Sequence, residues 1–181
     1  MPRSMRIIAG RLGGRNFDGP RGHRTHPMSE KARGAIFNAL GDINGLSVLD
    51  AFAGSGALAF EAISRGASEV VAVEIDKKAH SIIKRNAEEL GISNNLEIVR
   101  ANISAWANRH KTTKFDVVVC DPPYDNIQYK IIRKLVDHVS TKGIFVLSLP
   151  GTHEKLTLDG LNIIQSKYYG DAQLVFYRRI S

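Results

Sequence analysis

Leu46-Ser47-Val48-Leu49-Asp50-Ala51-Phe52-Ala53-Gly54-Ser55-Gly56, followed at once by Ala57-Leu58-Ala59-Phe60, is the stretch that decides the fold. A short apolar run ends on an acid, two glycines come next, and an apolar segment at helical spacing begins directly after them. That order reads as strand, tight turn and helix, the opening of a βαβ unit. Downstream the rhythm repeats, and the pattern predicts strands near 46–50, 69–74, 96–100, 115–120 and 143–149. Helices are predicted near 56–65, 77–91, 103–109 and 127–140. Two last strands, near 161–169 and 172–179, are separated only by Gly170-Asp171, a turn too tight for anything but an antiparallel pair. The expected fold is α/β, a mostly parallel sheet closed by one antiparallel hairpin.

Upstream, residues 1–28 are rich in Gly, Arg and His and read as an arm, a loop or small hairpin. Ser29 is placed to cap a helix over 30–40, with Ala32, Ala35, Ile36, Phe37 and Leu40 on one face and Gly41 ending it. The chain is therefore divided into 1–44, a basic arm and helix, and 45–181, the α/β unit.

With 181 residues, 43% of them hydrophobic, the chain can bury one real core. Its single cysteine excludes an internal disulfide and a multi-Cys zinc site, so a reducing cytoplasm is expected. No run approaches the roughly 18 apolar residues of a membrane span, and no secretory leader is visible. The formal charge of +7 is uneven: residues 1–33 carry eight basic side chains against two acidic, while the other 148 carry 17 against 16. Seven of those eight are arginines, whose planar fork suits phosphate, so nucleic acid is the expected partner.

In open α/β sheets ligands bind beyond the carboxyl ends of the strands. After the first strand, Gly54 and Gly56 let the backbone turn tightly toward a ligand at a helix N-terminus, which favours an anionic group. Asp50, at the strand tip, repels phosphate but can hold an ammonium. The loop thus fits the methionine part of S-adenosylmethionine better than a dinucleotide, and it lacks the Gly-Lys-Ser/Thr ending of a P-loop. After the second strand, Glu74 lies 18 residues past Gly56, where an acid takes ribose hydroxyls, and Asp76 reads as a helix cap. After the third, Asn102 can bond the adenine edge, cap a helix, or do both.

After the fourth strand comes Asp121-Pro122-Pro123-Tyr124. Prolines remove N–H donors and fix φ, so the Asp121 carboxylate and the Pro122 carbonyl form a rigid pair of acceptors for a planar exocyclic amine. Tyr124 offers a face on which a base can stack. Cys120 reads as a buried small hydrophobe and Trp106 as core. His80, His110, His138 and His153 are scattered and read as solvated, and no metal is expected.

Nearly the whole chain resembles the class I S-adenosylmethionine-dependent methyltransferases, and within them the bacterial small-subunit rRNA guanine-N2 methyltransferases of the RsmD type. The resemblance runs from Ile7-Ile8-Ala9-Gly10-Arg11 and Gly13-Gly14-Arg15, through Ala35–Leu40, to Asp50–Gly56, Glu74-Ile75-Asp76, Asp121–Tyr124 and Phe176-Tyr177-Arg178. It implies a Rossmann-like, seven-stranded sheet with helices on both faces and a reversed C-terminal strand pair. It further implies cofactor binding by Asp50, Phe52, Ala53, Gly54, Ser55, Gly56, Glu74, Ile75, Asn102 and Ile103. The catalytic set is Asp121, Pro122, Pro123 and Tyr124, with Arg6, Arg11, Arg15, Arg21, Arg24 and Arg33 on RNA. The implied partner is small-subunit rRNA or the assembled 30S subunit, met by a monomer in which residues 1–44 serve as RNA contact and cofactor lid and residues 45–181 as the S-adenosylmethionine-binding catalytic domain. Departures are His26-Pro27-Met28, where the family shows Arg-Pro-Thr, and Asn102, where it shows Asp; the Asn retains one acceptor oxygen for the adenine amine. The rival readings are a DNA adenine-N6 methyltransferase, which lacks room here for a target-recognition domain, a protein-glutamine methyltransferase, and a non-catalytic RNA-binding module.

Overall fold

The computed structural model describes residues 3–21 and 27–180. Two strands, β1 (Arg3–Arg6) and β2 (Asn16–Gly19), form an antiparallel hairpin, and α1 (Glu30–Leu40) follows. The Ser29 hydroxyl accepts from the Ala32 N–H to cap α1, and Gly41, at φ 73°, ends it. The main sheet contains β3 (Ser47–Asp50), β4 (Glu69–Glu74), β5 (Leu96–Arg100), β6 (Phe115–Cys120), β7 (Val139–Pro150), β8 (Leu161–Tyr169) and β9 (Ala172–Arg179). Their order across it is β5-β4-β3-β6-β7-β9-β8, parallel through β7 and antiparallel at β9 and β8. Helices α2 (Ala57–Ser64), α3 (Lys77–Leu90), α4 (Ile103–Arg109) and α5 (Tyr129–Val136) connect the parallel strands. They lie on both faces, giving two hydrophobic clusters, one around Phe60, Ile83 and Val70 and one around Trp106, Leu135 and Phe145. The strand order reverses between β3 and β6, which puts the topological switch point between the strands that end on Asp50 and lead into Asp121.

One boundary differs from expectation. The predicted helix over 127–140 stops at Val136, and β7 starts at Val139, four residues before the predicted strand. Val139 pairs with Phe115, after which the ladder slips before Val117 meets Ile144. The slip is absorbed at Lys142, the one described non-glycine residue with positive φ, 65°.

The arm is stitched to the α/β unit rather than free of it. Ile7, Leu12 and Phe17 are in the core, Phe17 packing edge-on against Phe60 at 5.0 Å. Glu61, fully buried in α2, accepts the Ile8 and Ala9 N–H groups at 2.9 and 3.0 Å. Ser64 donates to the Ala9 carbonyl at 2.6 Å and accepts the Leu12 N–H. Gly10, at φ 84°, sits so close that a Cβ there would lie 2.0 Å from the Ser64 carbonyl oxygen, so no side chain fits. Among the described residues no helix is long and apolar enough to cross a membrane.

Candidate active site

Three carboxylates stand at the carboxyl ends of three adjacent strands. Asp50 pairs with Ala72 on β4 and Val119 on β6, so Glu74 and Asp121 each lie two residues further along, flanking it. Asp50 is 1% exposed, no side chain donates to either of its oxygens, and only the Phe52 backbone amide is directed toward it. Burial first, then the charges of Asp121 and Glu74, push its carboxyl up to about 8, and the Phe52 backbone amide opposes this only in part. A buried acceptor pair without a side-chain donor is costly, and a ligand cation would relieve it.

The glycine loop builds the wall beside it. Gly56 takes the left-handed conformation at the N-terminus of α2, and a Cβ there would lie 2.9 Å from Phe60 Cζ. Gly54, also at positive φ, has open space where a Cβ would stand. Its N–H donates to Glu74 Oε2 at 2.7 Å, while Glu74 Oε1 accepts the Asp76 N–H at 2.9 Å. Glu74 is thereby fixed, with lone pairs left over for a diol. Ser55 is buried, its hydroxyl accepting the Ala57 N–H, and Ala53 is buried too, so what either has to offer a ligand is its backbone. Phe52 is half-buried beside the second core cluster. The N-cap of α2 is Gly56, which has no side chain to bond the first turn, and with the Ala57 N–H taken by Ser55 it is the Leu58 and Ala59 amides that remain to face an anion.

Ile75, 63% exposed, is an apolar face next to Glu74. Asp76 caps α3 through the Ala79 N–H. Asn102 caps α4, its Oδ1 accepting the Ser104 and Ala105 N–H groups at 2.8 and 3.4 Å. This corrects the expectation that its oxygen awaits an adenine amine: the oxygen is committed, and the Nδ2 hydrogens are what Asn102 has to offer a ring nitrogen. Ile103 is in the core, leaving its backbone at the edge.

Across the switch point, burial pushes the Asp121 carboxyl up to about 6, with Ser148 pulling the other way. Pro122 is buried and Pro123 exposed. The Pro123 carbonyl closes a turn by accepting the Asn126 N–H at 3.1 Å. Tyr124 is 38% exposed, and its hydroxyl lies 2.7 Å from Ser148 Oγ. Cys120 is buried, and desolvation raises its thiol well above the ordinary range, as befits an inert core residue.

The predicted RNA contacts divide. Arg33 is 1% exposed, ion-paired to Glu61 at 3.5 Å and donating to the Arg6 carbonyl at 2.9 Å, so it is a core residue and leaves the set of surface contacts. Its burial follows from its place on the inner face of α1, where Glu61 supplies the charge that makes burial tolerable. Arg6, exposed, pairs with Glu30 at 2.8 Å, and Arg15 donates to the Glu89 carbonyl at the far end of α3. Arg11 and Arg21 are exposed. Arg24, with His26, lies outside the described residues. His138 is also corrected: it is 2% exposed, its Nδ1 2.9 Å from the Thr113 carbonyl, and desolvation lowers its pKa. Sequence reasoning passed over Ser148, whose only signal is one polar residue inside Phe145–Leu149, and Glu61, a lone acid inside an apolar helix.

A sheet in this order, with a glycine loop after its first parallel strand and three carboxylates across the switch point, defines a Rossmann-like methyltransferase fold. The chain belongs to the RsmD family: the family model described as conserved hypothetical protein 95 matches residues 5–178. The Ribosomal RNA small subunit methyltransferase D of Buchnera aphidicola is 34% identical over 137 residues, 75% of this chain and 70% of that one. YlbH of Bacillus subtilis is 35% identical over 136 residues, 74% of each chain. The solved structure of yhhF from Escherichia coli superposes with a TM-score of 0.88 at 27% identity, covering 98% of this chain and 99% of that one.

Proposed function

We propose that this protein transfers a methyl group from S-adenosylmethionine to the exocyclic N2 of a guanine in small-subunit ribosomal RNA. The buried Asp50 carboxylate beside the glycine loop, with no side-chain donor, is the observation that carries the reading. It asks for an ammonium, and the Leu58 and Ala59 amides at the start of α2, beyond the glycine loop, ask for a carboxylate; an amino acid supplies both. Glu74 accepts the ribose hydroxyls, and Asn102 and Ile75 hold the adenine.

The cofactor, when bound, supplies an electrophilic methyl on its sulfonium. Everything else falls to the chain. Asp121, with a carboxyl near 6, is mainly ionised at pH 7 and accepts one N2 hydrogen, and the Pro122 carbonyl accepts the other. That grip favours a pyramidal nitrogen whose lone pair faces the methyl. Tyr124 stacks the guanine, which must leave its own stack, at least cost in an RNA loop. Asp121 need not deprotonate the amine beforehand, since the proton leaves after the nitrogen has become cationic. RNA meets the basic N-terminal segment, with Arg21 leading toward the site and Arg6, Arg11 and Arg15 further away. We take residues 1–44 as the RNA-contacting unit, the protein as cytoplasmic and monomeric, and the substrate as naked rRNA or the 30S subunit.

The test is transfer of a labelled methyl to unmethylated small subunits, naked rRNA and duplex DNA in parallel, followed by nucleoside mass analysis. N2-methylguanosine in either RNA sample is expected. N6-methyladenine in DNA overturns the substrate reading, and Asp121→Ala turning over at a near-normal rate overturns the catalytic assignment.

A further inference from the structure

Ser148 is the one polar side chain in the buried run Phe145–Leu149 of β7, and it is 2% exposed. The β6–β7 register pairs Val119 with Val146 and Cys120 with Leu147. The next step along both strands sets Asp121 beside Ser148 at the sheet edge. From above, the chain turns back after the two prolines and lays the Tyr124 hydroxyl 2.7 Å from Ser148 Oγ. Its neighbours on the strand, Leu147 and Leu149, are apolar, so the polar partners of this buried hydroxyl come from outside β7.

We propose that Ser148 is a positioning residue for methyl transfer, joining the Tyr124 hydroxyl to the Asp121 carboxylate so that the ring that stacks the target base and the acceptor that takes its amine hydrogen are held as one unit. This rests on the reading of function given above. The direction of the chain follows from valence. A carboxylate only accepts, so in this arrangement the single Ser148 proton is offered to Asp121, leaving a Ser148 lone pair for the Tyr124 proton. Ser148 is thus the one group of the three that must both donate and accept, a demand that a hydroxyl meets and a methyl does not.

Two consequences bear on the chemistry. The tip of Tyr124 is anchored while its ring remains 38% exposed, so the stacking face is presented at a fixed angle before any substrate arrives. At the other end, Ser148 acts against the burial that drives the Asp121 carboxyl upward and so favours its accepting form.

The experiment compares wild type, Ser148→Ala and Ser148→Thr in two measurements. The first follows the Asp121 carboxyl carbon by NMR through a pH titration of the ligand-free protein and requires no substrate. Its midpoint should move upward in Ser148→Ala and return toward the wild-type value in Ser148→Thr. The second is single-turnover transfer at saturating cofactor and RNA. Ser148→Ala should slow it on the order of tenfold at pH 7, the size expected for losing a hydrogen bond to a charged group. The acid limb of its pH–rate profile should shift toward alkaline pH, with cofactor Kd unchanged and Ser148→Thr restoring most of the rate. An unmoved Asp121 midpoint in folded Ser148→Ala, or a moved midpoint with an unchanged rate, overturns the proposal. A wild-type protein that methylates no RNA counts instead against the function proposed above, and the carboxyl titration then decides by itself whether Ser148 holds Asp121.

Discussion

Glu61 and Asp50 are both buried carboxylates, at 0% and 1% exposure, and their surroundings are opposite. Glu61 accepts from two backbone amides, from Arg65 Nε at 2.9 Å and from Arg33 Nη1 at 3.5 Å. Asp50 has no side-chain donor, only the Phe52 backbone amide nearby, and the charges that act on it, Asp121 and Glu74, are negative. A carboxylate that the fold satisfies from every side ties the N-terminal segment to α2. One that the fold leaves unsatisfied, at the switch point of the sheet, is held in readiness for a ligand. Burial alone does not tell the two apart, but the list of donors does.

The sharpest way to break this contrast is to truncate the satisfied member. Glu61→Ala strands Arg33 in the core and releases the Ile8 and Ala9 amides, and removing one partner of a buried pair costs about 3–5 kcal/mol. Urea unfolding should show a loss of that size. A loss below about 1 kcal/mol would mean that the N-terminal segment is held by Ile7, Leu12 and Phe17 rather than by Glu61.

Asp50→Asn should do the reverse. Removing the charge that would meet a ligand ammonium should weaken cofactor binding on the order of a hundredfold by calorimetry, since an unpaired buried charge costs about 2–5 kcal/mol. The ligand-free protein should melt no lower than wild type, because no side chain donates to Asp50 and burial with two acidic neighbours disfavours its charge. A variant that binds the cofactor normally would remove Asp50 from the site.

Proton linkage sharpens the same contrast. The folded-state pKa of Asp50, about 8, lies above the ordinary carboxylate value of 3.8, so between those values the folded state binds more protons than the unfolded one. Stability of the ligand-free protein should therefore fall as pH rises through that window, with Asp121 adding to the fall between 3.8 and about 6. Asp50→Asn should flatten the slope. Cofactor affinity should move the other way, rising by up to about tenfold per pH unit below the Asp50 midpoint and levelling near it, because the ammonium needs the ionised form. Affinity independent of pH from 6 to 8 would count against Asp50 as the ammonium ligand.

What was legible in the sequence follows the range of the interactions. Strand and helix periodicity, the glycine punctuation, the Gly170-Asp171 hairpin and the Ser29 and Asp76 caps are written within a few residues of where they act, and they gave β3 to β6, β8, β9 and α1 to α4 nearly to the residue. The tail of α5 failed because Val136 and Val139 suit a helical face, while the helix closes on its C-cap Asp137 and Val139 pairs in the sheet with Phe115, 24 positions earlier. At the site, the glycine loop and Asp121–Tyr124 could be read because each is a local run. Ser148 could not, since its meaning depends on the register of β7 against β6. Asn102 showed its type but not which of its atoms is spent.

The smallest expected effect separates arginines that a charge count treats alike. Arg33 belongs to the Glu61 network, 28 residues away in sequence, and its loss should register as instability. Arg21 and Arg11 are exposed and should register only in RNA binding, each substitution to Ala lowering the salt slope of affinity by about one and leaving stability within about 0.5 kcal/mol. Their positions differ. Asp18 bonds Arg85 and Asn86 while Arg15 bonds the Glu89 carbonyl, so the chain from Arg15 onward climbs α3 toward its first turn and the site edge. Arg11, bonded through its N–H to the Ser64 carbonyl, lies at the opposite end of α2, about 12 Å away by the helical rise. A short RNA hairpin carrying the target guanine should therefore lose affinity with Arg21→Ala and be indifferent to Arg11→Ala. Equal losses would mean that the RNA runs along the helices to the far edge of the sheet, and that the whole N-terminal segment is its track.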